Sequence, residues 1–506
     1  MILLWNMVKK YRLELAILVL LTLAYFFLRL YRIMSLPIFT DEAIYVRWSQ
    51  IARQDASWRF ISLTDGKQPM FIWIALNLMR VVKDPLLASR LVSVFAGFAT
   101  MIGLFFLGRE IFKNRWMGIL SAFLYLIFPF ALVYDRMALY DSLVGTFAVW
   151  SLYFEILLIR RLRLDVALIL GMILGGGILT KTSGFFSIYL IPFTLLLFDF
   201  SKHKLAIRFF RWMVLFAFSA ALAYGYYSIL RLSPFFYIIN EKNVLFVYSF
   251  KEWLMHPITY LYSNFSGLWN WFITYMTWPV FLLIILSFFI NFKFLREKLL
   301  LLIWFLVPFA ALVFFGKTLY PRFIFFMTLF LLPLAAFSIY EIYSKTKIKL
   351  TGVLTLLAFL VLFLRADYFI LNDFKNAPIA NPDLDQYVNG WSAGGGVKES
   401  VAFFKKQAQN QHIYIGTEGT FGLMPAAYET YLIDDSNITI KGYWPINNDT
   451  LPKESLDYAQ KMPAFFVFYQ PQHAVIPDNF PLKLISKFRE GKSNYFFRVY
   501  QIIPQR

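Results

Sequence analysis

The feature that most constrains this chain is a succession of apolar runs, each long enough to cross a bilayer as a helix. The first, LELAILVLLTLAYFFL, follows Lys9, Lys10 and Arg12 and has no small-x-small cleavage site before Arg29 and Arg32, so it reads as an uncleaved helix with its N-terminus inside. Further runs fall at roughly 86–108, 116–134, 141–160, 164–181, 184–200, 209–230, 272–292, 299–316, 322–343 and 350–368, making eleven expected spans. Met70 to Val82 is too short for a comfortable crossing and reads as an interfacial or re-entrant helix. Only 16% of the residues are charged, against about 25% in soluble proteins, which excludes a water-soluble globule.

The net charge of +19 is explained by its placement. Threading eleven spans from an inside N-terminus puts Lys9/Lys10/Arg12, Arg109/Lys113/Arg115, Arg160/Arg161/Arg163, Lys202/Lys204/Arg208/Arg211, Lys293/Arg296/Lys298 and Lys345/Lys347/Lys349 on one side. The opposite short junctions hold only Arg136, Lys181, Lys317 and Arg322, so the positive-inside rule selects this topology and nucleic-acid binding loses its support. Three segments then face outside: about 34–85, about 231–271 and everything from about residue 370.

Residues 1–369 therefore read as a polytopic membrane domain and 370–506 as a soluble extracytoplasmic domain. In the latter, strand-like HIYIGT, AFFVFYQ and YFFRVY alternate with helix-like VKESVAFFKKQ and ESLDYAQKM, the pattern of a small α/β domain. GWSAGGG reads as a loop entering a helix. With no cysteine, disulfides and thiolate metal sites are excluded. The four histidines, His203, His256, His412 and His473, read as surface residues.

Each charged residue on the outer side that could carry chemistry also has a bland reading. Asp41 and Glu42 directly follow the first span, and Asp41, Tyr45 and Trp48 share one face of an amphipathic helix; either Thr40 caps this helix and the acids complement its dipole, or they serve a site. Lys67 stands beside the membrane before a helix start, either snorkelling or holding a phosphate. Asp135, Arg136 and Asp141 fill the turn between two spans, as a surface pair and a cap or as site residues. Lys181 and the set Lys317, Tyr320 and Arg322 lie where the orienting rule leaves few cations, facing either ordinary anionic lipid or a polyprenyl phosphate.

Their convergence on one face fits glycosyl transfer from a lipid phosphate: cations stabilise the leaving phosphate while a carboxylate deprotonates an acceptor hydroxyl. A transporter or flippase of a lipid-linked or anionic solute is the alternative, but transporter sites tend to lie near the bilayer midplane, often between repeats, and no repeat is found. No P-loop, GxSxG, HExxH or Rossmann fingerprint occurs.

Over about residues 10–345 the chain resembles the GT-C glycosyltransferases, specifically glycosyltransferase family 39, which includes protein O-mannosyltransferases and bacterial lipid A aminoarabinose transferases. The carriers are Asp41-Glu42, Lys67-Gln68-Pro69, Arg136-x-Ala138-x-x-Asp141, Leu179-Thr180-Lys181 and Tyr320-Pro321-Arg322-Phe323. Gln68 stands where the family pattern has the first proline of Lys-Pro-Pro. The resemblance implies a GT-C membrane fold with Asp41 as catalytic base, Glu42 as its acidic neighbour and Asp141 as the second acidic position. It also implies that Lys67 and Arg136 contact the donor phosphate, with Lys181 and Arg322 as candidate phosphate contacts. The implied reaction is inverting transfer of a monosaccharide from a polyprenyl-phosphate donor at the outer face of a bacterial-type cytoplasmic membrane. The acceptor is left open among protein, lipid and glycan. A divalent Mg or Mn ion between Asp41, Glu42 and Asp141 is a further expectation, since hard oxygen ligands suit it.

The topology is tested with protease on sealed, right-side-out vesicles. Degradation of 370–506 is expected; protection that is lost only in detergent reverses the orientation.

Overall fold

The computed structural model describes residues 2–201, 204–346 and 349–504, so Lys202, His203 and Lys347 lie outside the described residues. In chain order the first helices are α1 (Ile2–Leu30), α2 (Thr40–Gln54), α3 (Met70–Leu78), α4 (Pro85–Phe112), α5 (Arg115–Leu126), α6 (Pro129–Tyr134), α7 (Asp141–Arg161) and α8 (Leu164–Thr180). Among the described residues seven helices are long and apolar enough to cross a membrane: Arg12–Leu30, Pro85–Phe112, Asp141–Arg161, Leu205–Leu232, Leu295–Phe315, Arg322–Lys345 and Gly352–Asn372. The chain is thus a multi-pass membrane protein.

The expected count of eleven spans is not reproduced by continuous helices, because several apolar runs are broken. The run at 272–292 falls across two helices, Leu261–Met276 and Trp278–Phe289, which meet at 95° and count as an eighth span only if taken together. Thr277 between them has φ +58°, and Pro279 follows at the start of the second helix, where its missing N–H costs nothing. The run at 116–134 splits into α5 and α6 just before Pro129, since a residue preceding proline is driven out of the helical region. The run at 184–200 becomes short helical turns around Pro192. Apolarity alone carries no record of these breaks. The nine-residue α3 spans about 13 Å at 1.5 Å per residue, too little to cross.

Ion pairs gather the cation-rich junctions at one end of the bundle. Arg160, closing α7, reaches Glu110 at 2.6 Å near the end of α4 and Glu297 at 3.3 Å at the start of Leu295–Phe315. Arg115 reaches Glu14 at 3.0 Å. Asp41, Lys67, Asp141, Lys181 and Arg322 belong to the opposite helix ends.

The C-terminal part folds as a five-stranded sheet of order β2-β1-β3-β5-β4, with β1 Ile413–Glu418, β2 Ile438–Tyr443, β3 Ala464–Phe468, β4 Leu482–Arg489 and β5 Phe496–Ile502. β1, β2 and β3 are parallel, and β5 runs antiparallel to β3 and β4. The three expected strands are β1, β3 and β5; the two unforeseen ones are the sheet edges, where exposed side chains and lysines dilute the apolar signal. The helix Val397–Gln407 starts after Gly396, whose φ of +91° and close approach to the Phe488 ring leave no room for a Cβ. His473 corrects the surface reading: it is fully buried with its Nδ1 against the Glu418 carboxylate, while Glu418 Oε2 accepts the N–H groups of Tyr469 and Gln470. The Pro471–His473 turn folds back onto the end of β1, a contact across more than fifty residues that no local pattern announces.

The segment between α1 and α4 is clamped between the helical bundle and the C-terminal sheet region. Ala43, Val46, Met79 and Leu86 share one apolar cluster with Val397, Phe404, Ile415 and Tyr428. The Thr40 backbone N–H and Oγ1 both donate to Ser392 O at 3.1 and 2.9 Å, Arg47 pairs with Glu429 at 2.9 Å, and Gln50 donates to Thr430 O. Phe404→Ala is expected to cost about 3–5 kcal/mol in the stability of this unit, measured by denaturant unfolding of the detergent-solubilised chain.

Candidate active site

Consecutive residues on a helix point about 100° apart, so Asp41 and Glu42 diverge at the start of α2. Glu42 turns inward and is fully buried. Its Oε1 accepts from Arg90 Nε at 2.9 Å and the Ala138 N–H at 2.7 Å; its Oε2 accepts from Arg90 Nη2 at 2.7 Å and the Phe39 N–H at 3.1 Å. Arg90 further donates to the carbonyls of Ile33, Leu36 and Pro37. The helix start is therefore held by Glu42 rather than capped by Thr40, whose hydroxyl goes to Ser392.

Asp41 and Tyr45, one turn apart, take the other face. Asp41 Oδ2 accepts from Arg322 Nη1 at 2.8 Å, and Asp141, the first residue of α7, accepts from Lys181 Nζ at 2.8 Å. Lys181 sits at the end of α8, and Arg322 opens the helix Arg322–Thr328. These cations belong to the wall of one cavity of about 400 Å³. Lys67, Lys181, Lys242, Arg322 and Asp141 give its polar part, while Phe186, Phe246, Phe323, Phe326, Leu312 and Met327 give an apolar one. Lys67 has no carboxylate within ion-pair distance among the described residues and lies 5.3 Å from the Phe246 ring centre. Burial pushes its ammonium below the ordinary lysine range, with Asp41 opposing. Gln68, in the family's proline position, donates to Thr182 Oγ1 at 2.9 Å and so ties the Lys67 loop to the segment after α8.

The structure brings Asp41, Lys67, Asp141, Lys181 and Arg322 together and leaves Glu42 and Arg136 apart. Arg136 is buried beside the end of α1, donating to Tyr31 O at 2.7 Å, and is not part of the cavity wall. Nor does it pair with Asp135, which is buried and bonded to Arg29, Tyr25, Tyr125 and Ser142. Lys317 instead approaches Glu252 at 3.9 Å. Lys242 and Asn243, on the helix Ile238–Phe246, are wall residues that sequence reasoning missed. The available signal was a lysine in the middle outer loop; its partner Asp65 is 177 positions away in sequence, which hides the pairing.

Among the described residues no group of three acidic or histidine side chains is placed to share a metal ion. Asp41, Glu42 and Asp141 each answer a separate cation, so the expected Mg or Mn set is not assembled.

Residues 66–227 match the family described as dolichyl-phosphate-mannose-protein mannosyltransferase. The fold is similar to ArnT from Cupriavidus metallidurans in the apo state, at TM-score 0.55 and 12% identity over 97% of this chain and 98% of that one. A second ArnT structure from the same organism, bound to undecaprenyl phosphate, matches at TM-score 0.53 and 13% identity, again over 97% and 98%. The Archaeoglobus fulgidus oligosaccharyltransferase AglB, in complex with an inhibitory peptide and a dolichol-phosphate, matches at TM-score 0.52 and 13% identity over 91% of this chain and 69% of that one. No curated protein sequence matches.

The chain has the fold of these ArnT and AglB structures, the GT-C fold.

Within this GT-C fold the Glu42–Arg90 pair is a support beneath the cavity. Glu42→Ala strands a fully buried guanidinium and is expected to cost about 3–5 kcal/mol, read as a lowered unfolding temperature of the solubilised protein without any ligand.

Proposed function

We propose that this chain transfers a monosaccharide from a polyprenyl-phosphate donor to an acceptor hydroxyl, with inversion, at the outer face of the membrane. The observation that carries the reading is the single cavity whose wall is cationic on one part and aromatic and aliphatic on the other. That division matches an anionic head joined to a prenyl chain. The ArnT structure with undecaprenyl phosphate and the AglB structure with dolichol-phosphate support it as relatives in fold that hold such lipids.

Lys67, Lys181 and Arg322 take the phosphate, with Lys242 at the edge of the cavity. Lys67, which among the described residues has no carboxylate partner, is the cation most ready to do so. Asp41 is the base. The acceptor oxygen attacks the anomeric carbon from the face opposite the phosphate, and its proton passes to the Asp41 carboxylate. The bond between the anomeric carbon and the phosphate oxygen breaks with its electron pair going to the phosphate, which leaves as the polyprenyl monoester. Asp141 fixes Lys181 in the wall. Arg136 acts as a support of the turn before α7 and not as a phosphate ligand. The cation-rich bundle end faces the cytoplasm, which puts the site and the C-terminal sheet on the outer side, where the acceptor is met.

The test is transfer of radiolabelled sugar from a panel of synthetic polyprenyl-phosphate monosaccharides to crude envelope acceptors. Wild type is expected to turn over at least one donor, and Asp41→Asn to lose about two to four orders of magnitude in rate while still binding it. Equal turnover by the two proteins removes Asp41 from the mechanism, and turnover of a nucleotide sugar without a lipid intermediate overturns the donor class.

A further inference from the structure

Arg322 and Asp41 are placed differently with respect to the cavity. Arg322 is in its wall, whereas Asp41 is not, although the Asp41 side chain is 24% exposed and therefore reaches open space elsewhere. The guanidinium thus stands as a partition between the donor cavity and the base. Among the described residues each is the other's sole hydrogen-bond and ion-pair partner: Arg322 Nη1 donates to Asp41 Oδ2 at 2.8 Å, and the rings of Tyr320, at 5.2 Å, and Phe39, at 6.0 Å, also face the guanidinium. The second ion pair of the site differs, since Asp141 and Lys181 both line the cavity.

Resting on the donor reading above, we infer that Arg322 is handed over from Asp41 to the donor phosphate, so that the carboxylate oxygen it occupies is freed for the acceptor hydroxyl only when the donor is seated. Two aromatic faces flank the guanidinium, and its planar fork suits a phosphate better than the single hydrogen bond it makes to Asp41.

The charge balance of the reaction favours the same movement. The donor phosphodiester carries one negative charge, and the departing monoester gains a second as the bond to the anomeric carbon breaks. In that step Asp41 takes up the hydroxyl proton and becomes neutral. Negative charge therefore leaves the Asp41 side of the guanidinium and appears on its cavity side within one event. An arginine moving with it stabilises the transition state more than the ground state. Arg322 is in this sense a positioning residue for Asp41 and a ligand of the phosphate in turn.

The hand-over makes Asp41 a competitor of the phosphate, which gives a prediction opposite in sign to a merely structural pair. Binding of undecaprenyl phosphate to the purified full chain is measured by fluorescence titration for wild type, Asp41→Asn, Arg322→Gln and the double variant, with the unfolding temperature of each checked without lipid. Asp41→Asn is expected to bind roughly three- to tenfold tighter, the range for removing competition from a part-exposed ion pair. Arg322→Gln is expected to bind more weakly, and Asp41→Asn on that background to give no gain. Equal tightening with and without Arg322 means that only the general field has changed and overturns the hand-over; unchanged or weaker binding by Asp41→Asn also overturns it. Failure of wild type to bind the lipid at all overturns the donor reading itself. Should Arg322→Gln fail to fold, Arg322→Lys replaces it. On any donor that turns over, kcat of Asp41→Asn falls while donor KM falls as well, a split that a packing defect does not produce.

Discussion

The arrangement of the cavity end of this bundle depends on one buried ion pair. Glu42 and Arg90 are both fully desolvated, and such a pair is sustained only when its remaining polar atoms are also satisfied. Here the Ala138 and Phe39 N–H groups complete the carboxylate, and three carbonyls of the turn after α1 complete the guanidinium. The result ties α4, the start of α2, the turn before α7 and the exit from the first span to a single point. Asp41, one residue from Glu42, and Asp141, three residues from Ala138, are consequently fixed relative to each other without any contact between them.

Above that point the site is built from pairs of opposite charge. Carboxylate and cation are matched at 2.8 Å in two places, which keeps the cost of burying charge low at the edge of a membrane domain. Lys67 is the exception, a half-buried ammonium that desolvation holds below the ordinary lysine range. Among the described residues it is a cation without a carboxylate partner beside an apolar wall, the asymmetry on which the proposed donor reading rests.

The C-terminal sheet completes the enclosure from the other side. Its loop at Ser392–Ala393 takes the backbone of Phe39 and Thr40, so the segment bearing Asp41 is pinned both from beneath by Arg90 and from above by the sheet domain. That arrangement makes the C-terminal sheet region part of the site's framework, although none of its described residues lines the cavity.

Long apolar runs and the segregation of lysine and arginine were enough to determine a multi-pass helical bundle, a separate α/β region and the side on which the isolated charges gather, because these are one-dimensional consequences of excluding charge from lipid. The buried strands β1, β3 and β5 were legible because the centre of a sheet covered on both faces also favours apolar residues. Which charges meet was decided only by the tertiary structure. Adjacent acids Asp41 and Glu42 look alike in sequence, yet a rotation of 100° sends one to Arg322 in the cavity wall and the other into a fully buried pair with Arg90. Arg136 and Lys181 are both lone cations at helix ends, yet only the second reaches the wall. Lys242 enters the site, and His473 is buried, through contacts between distant segments. Pairing energies of this kind depend on distance and solvent exclusion in three dimensions, quantities on which neither spacing nor composition reports.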